Sequence, residues 1–156
     1  MRTNGFRTGF LVFAMALAPL HAQAEEGAKA VDAAWEKAMK AGDLDALVAC
    51  YAPDAVMWLP GAPEARGAKA IRDAYAALLS GNTVTSTVFS NTVYETRGDW
   101  SVGWGDVVVT LAPKAGGAPT PLLARFTVVA KKLGGRWVYV SDHASSGPAP
   151  PAAPTP

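Results

Sequence analysis

His143, Asp106 and Arg125 are the residues of this chain whose type and setting most suggest chemistry. His143 ends the stretch Arg136 to His143, which reads as a strand with Trp137, Tyr139 and His143 on one parity. An imidazole titrates near neutrality, so His143 is a candidate acid, base or hydrogen-bond partner, and equally a structural histidine tied to a neighbour. Asp106 stands in a run of valines on the parity of Trp104, and Arg125 stands between Ala124 and Phe126, where an unpaired charge would be costly. Two accounts fit: a mutual ion pair, or anchoring of a ligand. If Trp104 faces a cavity, strand alternation takes Asp106 there too, and Arg125 with His143 could close its polar end. Trp35, Tyr51, Trp58, Tyr75, Tyr94 and Trp104 are candidates for the walls of such a pocket, although aromatic side chains on element faces serve a plain core equally well.

Other arrangements drop out on spacing. Ser141-Asp142-His143 contains the residue types of a catalytic triad, but neighbours in a strand point to opposite faces. Ser141 and His143 share a face at roughly 7 Å between Cα atoms, too far for a ready nucleophile–base hydrogen bond. Once His21 leaves with the leader described below, one histidine remains, and Cys50 is the single cysteine, so no metal site is expected. Cys50 follows Leu47 on a helical stripe that continues to Tyr51 and reads as a small buried apolar residue, with no partner for an internal disulfide. Gly134-Gly135 is a hairpin turn; no helix follows to present its N-terminus to a phosphate. No cofactor is expected.

The elements that must position these residues follow from periodicity. Val31, Ala34, Trp35, Ala38 and Met39 repeat at helical spacing, with Asp32, Glu36, Lys37 and Lys40 assigned to the other face and Gly42 ending the helix. Asp43 caps a second helix with the stripe Leu44, Leu47, Val48 and Tyr51, stopped by Pro53. Ala55 to Leu59 reads as a short strand, and Ala68 to Leu79 as a third helix. After Asn82 the period changes to two. Strands are expected over Thr83 to Glu95, Trp100 to Leu111, Leu122 to Lys132 and Arg136 to His143, with turns at Gly98-Asp99 and Gly134-Gly135. Helices followed by consecutive strands mean α+β, with three N-terminal helices packed on one face of a curved antiparallel sheet.

The ends read differently. Arg2 and Arg7 precede an apolar run, Phe10 to Leu20, and Ala22-Gln23-Ala24 follows, the pattern of a signal peptide over residues 1–24. The run is too short to span roughly 30 Å of hydrocarbon. Residues 25–146 then form the domain and 147–156 a flexible Pro/Ala tail with no large apolar residue. The full chain carries a formal charge of +1, which becomes about −1 when the leader and its two arginines are removed. That balance disfavours nucleic acid and acidic membrane as partners.

Three stretches carry a resemblance: Ala41-Gly42-Asp43-Leu44-Asp45-Ala46-Leu47, Tyr51-Ala52-Pro53-Asp54-Ala55-Val56-Met57 and Arg66-Gly67-Ala68-Lys69-Ala70-Ile71-Arg72. With Arg125-Phe126-Thr127, Gly135-Arg136-Trp137 and Asp142-His143-Ala144-Ser145, they resemble the nuclear-transport-factor-two-like superfamily over about residues 28–146, and within it the SnoaL-like and ketosteroid-isomerase-homologue branch. The resemblance implies a cone-shaped sheet with the helices on its concave face, an apolar pocket open at one end, and a homodimer. It also implies that steroid isomerisation is not the activity. The base carboxylate of ketosteroid isomerases falls at Leu59, the oxyanion-binding tyrosine of their first helix at Trp35, and no acid stands near Thr127 for the second donor.

Three functions remain open at this level: an exported protein binding a small apolar or aromatic molecule, a cofactor-free isomerase, lyase or cyclase using His143 or Asp106, and a homodimeric association module. All three place the protein in the periplasm or outside the cell, with no membrane attachment after the leader is removed. N-terminal sequencing of the exported protein is expected to begin at Glu25; a retained Met1 would refute the leader.

Overall fold

The computed structural model describes residues 26–147, so the leader, and the tail beyond Gly147, lie outside the described residues. Three helices, α1 (Ala28–Ala41), α2 (Leu44–Ala49) and α3 (Gly67–Gly81), accompany six strands: β1 (Tyr51–Trp58), β2 (Ala65–Arg66), β3 (Asn82–Arg97), β4 (Trp100–Pro113), β5 (Thr120–Leu133) and β6 (Arg136–Ser146). Gly42 ends α1 in the left-handed conformation, φ 63°, and the Asp43 side chain accepts from Ala46 N at 2.9 Å to start α2. Both caps are the ones their residue types favour.

The expected class, α+β with a curved sheet and three helices, is the architecture observed. Strand order is β2-β1-β6-β5-β4-β3, and the sheet does not close. One correction concerns direction: β1 runs parallel to β6, so the sheet is mixed. β3 to β6 are joined by turns and short connections that force antiparallel pairing; β1 is reached from a helix, and no turn constrains it. A second correction concerns Tyr51, which opens β1 instead of closing the α2 stripe. Pro53 lies where β1 slips in register between Tyr51↔Tyr139 and Val56↔Ser141, a place where its missing N–H costs no ladder bond.

Two further irregularities decide which side chains face the helices. In β3 the register slips between Ser90 and Val93, with Asn91 at φ 52°. Gly105 makes room for this bulge, because a Cβ there would lie 2.9 Å from the Ser90 carbonyl oxygen. In β6 the register slips opposite Val129/Ala130: Tyr139 pairs with Ala130 and Ser141 with Val129, leaving Val140 as the extra residue. Alternation therefore restarts at Ser141. Tyr139 and Asp142, three apart, both turn inward, while His143 turns out.

The core forms between the inward faces. Val31, Met39, Leu47, Ile71 and Tyr75 from the helices are buried against Val107, Val109, Phe126, Val128 and Tyr139 from the sheet.

Candidate functional site

A cavity of about 390 Å³ opens between the helices and the sheet. Phe89, Val107, Val109, Phe126 and Val128 form its sheet wall, Met39, Ala74 and Leu78 its helix wall, and Leu59 and Pro60 part of its border. Its interior polar groups are few: Asp32 and Trp35 from α1, Tyr75 from α3, Tyr139 and Asp142 from β6. Ser146, exposed, belongs to the rim.

The two aspartates are buried, Asp32 with 3% and Asp142 with 9% of its surface exposed. Among the described residues, tyrosines supply the hydrogen bonds to both. Asp32 accepts from Tyr94 at 2.6 Å through Oδ2 and from Tyr139 through Oδ1. Asp142 accepts from Tyr51 at 2.6 Å through Oδ2 and lines the cavity, and none of these hydrogen bonds uses its Oδ1. The Tyr51 hydroxyl lies 2.6 Å from that of Tyr75, which lies 2.7 Å from the Trp35 indole nitrogen. Gly103 gives Tyr94 its approach to Asp32, since a Cβ there would come within 2.8 Å of the Tyr94 ring.

Burial raises both carboxyls from an ordinary 3.8 to about 6. For Asp32, desolvation outweighs the hydrogen bonds of Tyr139 and Tyr94, which act the other way; for Asp142, desolvation outweighs Tyr51, and the charge of Asp32 adds to the rise. Desolvation also lifts the Tyr51, Tyr75 and Tyr139 hydroxyls above their ordinary value, so these remain protonated. A carboxylate poised near 6 inside apolar walls is matched to proton transfer around neutrality.

Of the residues singled out from the sequence, Trp35 and Tyr75 line the cavity. Tyr51 and Tyr94 stand behind its wall and reach it through the aspartates. The others require correction. Trp104, Thr127, His143 and Trp58 follow one another across β4, β5, β6 and β1, and Asp106 and Arg125 form the next row, all on the outer face of the sheet. Trp104 and Asp106 do share a face, as alternation requires, but it is the opposite one, because Gly103 and Val107 turn inward. His143 leaves the parity of Tyr139 through the β6 bulge and packs edge-on against Trp58, centroids 6.3 Å apart. Asp106 accepts from Asn91 at 2.7 Å and lies 3.8 Å from the Arg125 Nε; the arginine side chain is 64% exposed. The guanidinium therefore has solvent, and a pair this open contributes little.

Asp32 and Asp142 were missed. By the simple apolar stripe Asp32 falls on the polar face of α1, and Asp142 stands out only as the middle of Ser141-Asp142-His143. One signal was present: Asp32, Trp35 and Met39 are spaced three and four apart, which puts them on one helical face. Cys50 is buried, its thiol 3.4 Å from the Ala46 carbonyl oxygen, and burial pushes its pKa up to about 11, which leaves it unreactive at neutrality. Among the described residues no group of three or more His, Cys, Asp or Glu is placed to hold a metal.

The family model for the SnoaL-like domain matches residues 28–140. The chain belongs to the SnoaL-like domain family. No curated protein matches it. Solved structures share the fold. A ketosteroid isomerase-like protein from Erwinia carotovora atroseptica has a TM-score of 0.66 and 24% identity over 77% of this chain and 94% of its own. A candidate scytalone dehydratase from Novosphingobium aromaticivorans has a TM-score of 0.70 and 12% identity over 77% and 81%. A candidate calcium/calmodulin dependent protein kinase II association domain from Xanthomonas campestris gives 0.69 and 23% over 78% and 86%. At these identities the likeness speaks for the fold. The SnoaL-like cone is thus common to proteins described in quite different terms, and the side chains in the cavity must carry the functional argument.

The raised carboxyls fix a sign for stability against pH. Asp32 and Asp142 bind protons more tightly in the folded chain (about 6) than unfolded (near 3.8). Between those values the native state holds more protons, so stability falls as pH rises from about 4 to about 6, then levels. The two groups together are worth up to about 6 kcal/mol over that range. Tm is expected to be higher at pH 5 than at pH 7.5, and less so in Asp142→Asn; a wild-type Tm that climbs over this range would contradict the assignment.

Proposed function

We propose that this SnoaL-like domain takes a small, largely apolar molecule into the cone cavity and moves a proton on it without a cofactor, as an isomerase or lyase does, with Asp142 as the proton carrier. One observation carries the reading: Asp142, whose Oδ2 is held by Tyr51, lines a cavity whose walls are mostly apolar. Such walls exclude water and favour an apolar ligand, and few polar groups then set its orientation. Asp142 replaces His143 and Asp106 in this role because both of those lie on the far side of the sheet. Asp32 is a positioning residue, since both of its oxygens are taken by tyrosines. Leu59, at the place of the ketosteroid isomerase base, borders the cavity and has no proton to exchange.

The test uses the small molecule that co-purifies with the exported protein. Incubated in D2O, wild type is expected to exchange or relocate one of that molecule's protons, and Asp142→Asn to do so roughly 10²- to 10⁴-fold more slowly. Mass spectrometry reads both. A molecule that stays bound but never exchanges would overturn the catalytic reading and leave a binding protein.

We further propose a homodimer through the outer sheet face, acting outside the cytoplasm. Val93, Trp104 and Trp58 are exposed there and no helix covers them. Light scattering at high micromolar concentration is expected to give twice the monomer mass; a monomer mass would refute the assembly.

A further inference from the structure

The hydrogen bonds around Asp142 have a direction that their distances alone do not reveal. An indole N–H can only donate and an ionised carboxylate can only accept. Trp35 and Asp142 therefore fix the two ends of a chain whose middle members are the hydroxyls of Tyr75 and Tyr51. Each hydroxyl has one hydrogen. Tyr51 spends its own on Asp142, so in the 2.6 Å contact between the tyrosines Tyr75 must be the donor. Every donor points toward Asp142: Trp35 to Tyr75, Tyr75 to Tyr51, Tyr51 to the carboxylate. The weak contact of Tyr51 with the Met57 sulfur, 3.7 Å away, does not compete with a charged acceptor.

What remains for a ligand is set by subtraction. Tyr139 spends its hydrogen on Asp32, and so does Tyr94 behind the wall. Trp35, Tyr75 and Tyr51 have spent theirs. What these side chains leave to the cavity is acceptors, Oδ1 of Asp142 and unspent lone pairs on Tyr75 and Tyr139, and among the described lining residues no interior side-chain donor is unspent. The hydroxyl of Ser146 is at the exposed rim.

We propose that the resting cavity selects molecules presenting a hydroxyl or N–H to Asp142 and Tyr75 and rejects carbonyl and carboxylate ligands of the same shape. This deepens the reading of the cavity as the working site, and names its ligand class. A carbonyl oxygen placed at this floor would lose its water and find only acceptors, which is the costly way to bury a polar group. Arg125, the cation that could have anchored such a ligand, lies on the outer face of the sheet.

The selection inverts when Asp142 is protonated. A proton on the carboxyl supplies a donor, either from the acid itself or, when it sits on Oδ2, by turning the chain round: the acid donates to Tyr51, Tyr51 to Tyr75, and the Tyr75 hydrogen is freed. Because Trp35 still donates to Tyr75, that hydrogen can turn only to the cavity side. The groups that bear on Asp142 are Tyr51 of β1, Tyr75 of α3, Tyr139 of its own strand and Asp32 of α1; no cation is among them.

The test needs no turnover. 1-Indanol and 1-indanone are nearly the same shape and differ in whether they can donate. At pH 8 the alcohol is expected to bind wild type about tenfold or more tightly than the ketone, by calorimetry or ligand-observed NMR; at pH 5 the preference should shrink or reverse. Tyr51→Phe removes the donor that holds Asp142 ionised, and should move the pH of that change upward. Tyr75→Phe leaves the Trp35 N–H free beside the cavity and should raise affinity for the ketone. Equal or tighter binding of 1-indanone at pH 8 overturns the proposal while leaving proton transfer by Asp142 to its own experiment. A preference for the alcohol in a protein that exchanges no proton keeps this proposal and removes that one.

Discussion

Two buried carboxylates held by tyrosine hydroxyls are the constraint around which this cone is organised. A charge in an apolar interior is tolerated only when hydrogen bonds replace the water it has lost. Here that replacement comes from tyrosines on four different elements: Tyr51 of β1 and, behind it, Tyr75 of α3 serve Asp142, while Tyr94 of β3 and Tyr139 of β6 serve Asp32. Aromatic rings suit the task because each brings a large apolar body to the core and a single hydroxyl to the acid. α1, α3 and strands β1, β3 and β6 are thus tied to the same two residues, and removing Asp32 would leave two tyrosine hydroxyls, and removing Asp142 one, without an acceptor.

Strand irregularities do the aiming. An ideal β6 would turn Tyr139 and Asp142 to opposite faces; the extra residue at Val140 brings both inward. An ideal β3 would run past Gly105 without the left-handed Asn91. Regular alternation would have left one acid to the solvent face and the cavity with half of its polar floor. The outer face, by contrast, follows the simple period: Trp104 with Asp106, and Thr127 with Arg125, as alternation dictates.

This difference explains what could be read from the sequence. Helix α1 with its Gly42 stop, the Asp43 cap, α3 and the four long strands were legible because each is a long periodic segment bounded by a residue with one strong conformational preference. The family was legible in the helix-to-strand motifs. The side of the sheet on which each strand residue lands was not, because a one-residue bulge has no strong signature: nothing in Val138-Tyr139-Val140-Ser141 announces that Val140 is extra. His143 was placed with Tyr139 for that reason, and Asp142 was missed for the same one. Trp104, Asp106 and Arg125 illustrate a second limit. Alternation groups residues by face, but which face is inside depends on what the rest of the sheet buries. Asp32 is the exception that could have been found, since its spacing to Trp35 and Met39 already put it on the inner stripe.

The parallel pairing of β1 with β6 has a consequence for how the molecule assembles. Tyr51 and Asp142 are separated by 91 residues, and Asp32 and Tyr139 by 107, so the contacts that satisfy the two acids are among the most distant in the chain. Contacts of such long range carry a large loop-closure cost and form late. The local hairpins of β3 to β6 can zip first, while the acids are still in water and need no tyrosine. β1, the strand that pairs beside Asp142, itself carries the donor Tyr51. Because Tyr51 and Asp142 lie on neighbouring strands, the pairing of β1 with β6 that covers this acid also brings the hydroxyl that satisfies it.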